Sequence, residues 1–109
     1  ISLPDLIVYE IPALTELLPN FPNPFNPETW IPFQLAEDAT VSLTIYESTG
    51  RLVRTIELGF TPAAVYQSRS KAIYWDGRNN FGEQVASGIY FYHLDTGGFS
   101  STRKMVILK

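Results

Sequence analysis

Asp76, Asn79, Asn80 and Glu83 lie together in the stretch DGRNNFGE. Oxygen-bearing side chains at that density are what a hard cation such as Ca²⁺ asks for. The spacing lacks the alternating ligands of a helix-flanked calcium loop, and Asp, Gly and Asn are also the residues of tight turns, where they accept hydrogen bonds from nearby backbone. The segment therefore reads first as an Asx-stabilised hairpin turn, with Asp76, Asn79, Asn80 and Glu83 as weak metal candidates. His93 is the only histidine, and Asp95 shares its strand face two residues on. There is no cysteine to join them, and no G-x-S-x-G, H-E-x-x-H or glycine-rich phosphate loop. Nothing assembles a nucleophile, a base and oxyanion donors, so the sequence predicts no enzyme and no cofactor.

Two other sets of side chains could make contacts. Tyr74, Trp75, Tyr90, Phe91 and Tyr92 could stack on sugars from a sheet face, which leaves a carbohydrate-binding module as one reading. Short strands need a core first, and aromatic residues supply it with cross-strand pairs. Lys104 and Lys109 are basic side chains on a terminal apolar segment that does not need them for packing.

The elements that would position these residues are strands. From Thr29 the chain alternates: Ile31, Phe33 and Leu35 share one face, and Val41, Leu43 and Ile45 alternate with Ser42 and Thr44. Ser48-Thr49-Gly50 turns into RLVRTIEL, in which Leu52 and Ile56 are expected on one side and Val53 on the other. GFTPAAV (59–65) reads as a loop because Gly59 and Pro62 break the period. Strand character returns at Ala72–Trp75 and at Val85–Leu94, and STRKMVILK forms a last strand with Met105 and Ile107 opposite Lys104, Val106 and Leu108. The fold class is all-β, an immunoglobulin-like sandwich of about seven short antiparallel strands.

Upstream, Pro19, Pro22, Pro24 and Pro27 exclude a helix or an inner strand from LLPNFPNPFNPETW. This stretch reads as a stiff, extended lead-in whose Phe21 and Phe25 need an apolar surface. Residues 1–17 read as a linker or an added edge strand, with Leu6–Tyr9 as its strand candidate, and the cooperative fold is expected to start near Leu18.

Composition narrows the class further. The 109 residues suit one domain, the net charge of −3 argues against nucleic acid, and no apolar run reaches the length of a membrane span. A chain beginning at Ile1 reads as a piece of something longer, and a monomer is expected.

The phrases LLPNFPNPFNPET, IYESTGRLVRTIE, WDGRNNFGEQVASGIYFYHL and STRKMVILK, in that order, resemble the type A C-terminal sorting domain of type IX secretion cargo. They resemble equally the related immunoglobulin-like domain of the flagellar hook-capping protein. The resemblance covers residues 18–109 and implies a β-sandwich, read by outer-membrane secretion machinery, that carries upstream cargo domains of the same chain to the surface of a Gram-negative-type bacterium. It places recognition on Gly50, Leu52 and Val53 of a G-x-L-V phrase, on Gly88 and Tyr90 of a G-x-Y phrase, and on Lys104, Met105, Val106 and Lys109 of the terminal K-M-V-x-x-K. The same glycines serve turns and the same apolar residues fill a core, so a plain structural spacer is the rival reading. The link before WDG, QSRSKAIY, is longer than the family usually has, which leaves the strand pairing there open.

Overall fold

Removing one side of each alternating segment from water is what builds the core: Ile31, Phe33, Leu35, Val41, Leu43 and Ile45 are all fully buried. The computed structural model describes residues 11–109; the strand candidate Leu6–Tyr9 lies outside them. In chain order the strands are β1 (Glu16–Leu17), β2 (Thr29–Ile31), β3 (Phe33–Leu35), β4 (Ala39–Glu47), β5 (Leu52–Thr61), β6 (Ala64–Tyr66), β7 (Ile73–Trp75), β8 (Gly88–Asp95) and β9 (Ser100–Ile107). A four-stranded sheet in the order β5-β4-β8-β9 forms one layer, and β1-β3-β6 with the ribbon β2-β7 forms the other. Every strand pair is antiparallel. The fold is an all-β, immunoglobulin-like sandwich.

The strands are more numerous than expected. Pro32, which has no backbone donor, divides one alternating segment into β2 and β3, which pair with different partners. The 59–65 segment, read as a loop, instead carries the end of β5 and the start of β6. Gly59 makes this possible: at φ +73° it sits beside an irregularity between Val41 and Ser42 that lets the strand bend and continue. A second irregularity, between Ile45 and Tyr46, corrects the facing of β5. It turns Val53 inward and leaves Leu52 half exposed, while Ile56 packs against the core instead of sharing the side of Leu52.

The lead-in belongs to the core. Phe25 is buried and meets Trp75 edge-on at 5.8 Å, and Trp75 meets Tyr90 at 6.0 Å. A buried polar knot ties the same segment down. The Tyr92 hydroxyl donates to the Leu18 carbonyl at 2.8 Å and accepts from the Asn20 amide at 3.0 Å. The Asn20 side chain donates to Thr29 Oγ1, which donates to the Pro22 carbonyl, each at 3.0 Å. Burial pushes the Tyr92 phenol above its ordinary ionisation range, against the pull of the Asn20 amide and of Arg103. Gly77 sits behind this segment at φ +77°, where a Cβ would fall 2.4 Å from the Pro27 carbonyl oxygen, so only glycine fits. Upstream of Leu18, the expected start of the cooperative fold, Glu16 and Leu17 pair with Gln34 and Phe33, and Leu17 is buried.

Candidate functional site

The loop between β7 and β8 spends its side-chain oxygens on backbone. Asp76 Oδ1 accepts from the Arg78 amide at 3.0 Å and from Arg54 Nη1 at 3.2 Å. Asn79 Oδ1 accepts from the amides of Phe81 and Glu83, and its Nδ2 donates to Glu83 Oε1. Asn80 reaches across to β5: its amide donates to the Val53 carbonyl and its Oδ1 accepts from the Thr55 amide, both at 3.0 Å. It thereby satisfies the outer edge of β5 as a further strand would. Asp76, Asn79, Asn80 and Glu83 act in this geometry as turn and edge partners. Among the described residues no group of three or more His, Cys, Asp or Glu is placed to hold a metal ion.

The last strand is closed in a matching way. The Val106 amide donates to Asn23 Oδ1 at 3.0 Å, the Phe25 amide donates to the Val106 carbonyl at 3.1 Å, and the Leu108 amide returns to the Phe25 carbonyl at 3.1 Å. Arg103 Nε donates to the Leu17 carbonyl at 2.8 Å. From Val106 to Leu108 the lead-in occupies the outer edge of the terminal strand, because Asn23 and Phe25 supply the pairing groups that the neighbouring prolines lack. Lys109 is exposed and tethered: its amide donates to Ser87 Oγ at 2.9 Å and its Nζ donates to the Val85 carbonyl.

Strand alternation divides each family phrase into a buried half and a displayed half. Val53, Tyr90, Met105 and Ile107 are buried. Their neighbours Leu52, Ile89, Lys104 and Val106 point to the solvent side of the four-stranded sheet. Leu52 pairs with Tyr46, Tyr46 with Phe91 and Phe91 with Lys104, making one row across all the strands, and Ile89 pairs with Val106 beside it. Leu52 is 50% and Ile89 44% exposed. An apolar row ending in one lysine on an otherwise polar face has the composition of a partner surface. Gly50 sits at φ +91° in the tight β4–β5 turn, and Gly88 opens β8. Sequence reasoning missed Ile89 and Tyr46, although period 2 counted from Tyr90 and Ile45 would have found both.

At the end of this row a cleft of about 510 Å³ opens between the β4–β5 turn and the 79–86 loop. Val53 and Tyr90 line it together with Asn80 and Val85, and Phe81 stands at its rim, 87% exposed. Burial and the Glu47 carboxylate raise the Tyr90 ionisation, Arg51 opposing, and the Tyr90 hydroxyl donates to the Ala86 carbonyl at 2.7 Å. Glu47 and Arg51 pair with each other at 3.1 Å on the outside.

The aromatic residues separate in the same manner. Trp75, Tyr90 and Tyr92 belong to the core, so the set singled out for sugar stacking does not form one platform. Tyr74 is 47% exposed and faces Trp30, with ring centroids 5.5 Å apart. Trp30 in turn lies 6.3 Å from Phe21, a pair that sequence reasoning did not join. His93 Nδ1 meets Thr102 Oγ1 at 2.7 Å across β8 and β9.

Comparison with known proteins agrees with this architecture. In structure the chain resembles dimeric latent PorU from Porphyromonas gingivalis, with a TM-score of 0.63 at 23% identity over 94% of this chain and 10% of that one. It also resembles PorZ of the same organism, described as an essential bacterial surface component of the type-IX secretion system, with a TM-score of 0.57 at 21% identity over 87% of this chain and 11% of that one. The chain thus spans about a tenth of the length of each. No curated protein matches it. The family model described as FlgD Ig-like domain matches residues 25–96, and the chain belongs to that family.

Proposed function

We propose that the chain is a non-enzymatic C-terminal sorting module. It directs a larger secreted protein through the outer membrane by the type IX route and to the cell surface, and it is read by the secretion machinery through the displayed row Leu52, Tyr46, Phe91 and Lys104 with Ile89 and Val106. The observation that carries this reading is the division of every family phrase into one residue for the core and one for display. Packing alone accounts for Val53, Tyr90 and Met105, and it leaves Leu52 and Lys104 without a task inside the domain. The resemblance in fold to PorZ, a component of that secretion system, supports the same direction.

A structural spacer is the second reading, favoured by one observation: the family match stops at residue 96, before β9, Lys104 and Lys109. The experiment fuses the 109-residue chain to the end of a passenger protein in a host with the type IX system and measures protease-accessible passenger on intact cells. A sorting module brings the passenger to the surface; a spacer leaves it inside.

A further inference from the structure

The solvent side of the β2–β7 ribbon carries an aromatic row that the sandwich does not use. Thr29, Ile31, Ile73 and Trp75 face the core from the two strands, so Trp30 and Tyr74 face outward as a cross-strand pair. Phe21 extends the row: its amide and carbonyl exchange hydrogen bonds with Trp30 at 2.9 and 2.8 Å, which fixes the two rings side by side, 21° from parallel. Polar groups stand at the rim. Glu28 accepts from the Tyr74 hydroxyl at 2.6 Å, and the Arg69 guanidinium lies 4.4 Å from the centre of the Trp30 ring.

We propose that Phe21, Trp30 and Tyr74, with Arg69 and Glu28 beside them, bind an acidic saccharide chain. Tyr74 is exposed and Phe21 and Trp30 are half-buried beside it; Tyr74 is tilted 50° from Trp30 and the Arg69 guanidinium lies over the Trp30 ring, so the surface offers the Tyr74 face and the neighbouring ring edges to the C–H groups of successive sugar rings. Glu28 and Arg69 bring planar acceptors and donors to the edge of that surface, the means by which sugar hydroxyls are held. Arg69, with Lys71 on the same exposed 67–71 segment, adds positive charge to a chain of net charge −3. A guanidinium above an indole suits a carboxylate that forks onto it while the sugar ring stacks alongside. The row lies in the layer opposite the displayed row of the four-stranded sheet, so both surfaces can be occupied together.

The test titrates the 109-residue chain with tetragalacturonate, and with neutral cellotetraose as the comparison, by calorimetry and tryptophan emission. Saturable binding of tetragalacturonate, weakened by salt and stronger than that of cellotetraose, is expected. Trp30→Ala and Tyr74→Ala should each weaken it about tenfold, the worth of one stacked ring. Arg69→Gln should bring the two affinities together. Tyr74→Ala and Arg69→Gln alter exposed groups and keep the test valid should Trp30→Ala unfold. Absence of saturable binding by tetragalacturonate, preference for cellotetraose, or undiminished binding in the Tyr74 and Arg69 variants would overturn the proposal. A protein partner for the row would give the first of these outcomes.

Discussion

Tyr92 shows how one polar atom can join distant parts of the chain. Its hydroxyl serves the Leu18 carbonyl and the Asn20 amide, both far from it in sequence. Tyr92→Phe leaves those buried groups unpartnered and should cost about 1–3 kcal/mol in chemical denaturation. The same residue sets a pH dependence. Because its folded ionisation lies above the ordinary tyrosine value, its contribution is complete below pH about 10 and is lost as pH rises through the folded value. Tyr90 acts in the same direction. Stability should therefore fall on the alkaline side, and Tyr92→Phe should make that fall shallower; an unchanged alkaline limb would show that the phenol is not linked to folding. Gly77→Ala meets both a positive φ and the Pro27 carbonyl, and a loss on the order of 3 kcal/mol is expected, read as a lowered melting temperature.

Among the elements, the two edges of the four-stranded sheet are closed by asparagines from irregular segments, Asn80 on β5 and Asn23 on β9. An uncovered edge is a template for another chain. The double variant Asn23→Ala with Asn80→Ala should therefore associate as concentration rises, as seen by light scattering during gel filtration; a strictly monomeric variant would show that the closure is incidental. A chain beginning at Leu18 gives up the burial of Leu17 and should unfold at lower denaturant than one beginning at Ile11, by about 1.5–3 kcal/mol. The alternating core, the turn at 76–83 and the facing of Met105 and Ile107 were legible because each depends only on local period and turn chemistry. The facing of Leu52, the strand through Gly59, and the pairing of Asn23 and Phe25 with β9 were not. The first two depend on extra residues, Leu58 and Val53, that β5 carries opposite β4 and that only the pairing reveals, and the third joins residues more than eighty positions apart. The displayed row was half legible: its Lys104 and Leu52 carried the resemblance, and period 2 gives the facing of Tyr46 and Ile89, whereas the register alone joins them into one row.

For the molecule as a whole, the two layers divide the work. The inner faces hold Trp75, Tyr90, Met105 and their neighbours and make the domain stable without any cysteine. The recognition proposed above belongs to the outer face of the four-stranded sheet. A substitution there should change what reads the domain and leave the fold intact, since an exposed side chain makes few of the contacts that stability rests on. The triple variant Leu52→Ser, Ile89→Ser and Lys104→Ala, fused to a passenger in a host with the type IX system, separates recognition from stability. The decisive measurement is protease-accessible passenger on intact cells, compared with the unaltered fusion at equal expression and with melting temperatures taken on the purified domains. Recognition through the displayed row predicts surface passenger reduced about tenfold or more with the melting temperature within a few degrees. Undiminished surface passenger from a folded triple variant would contradict it.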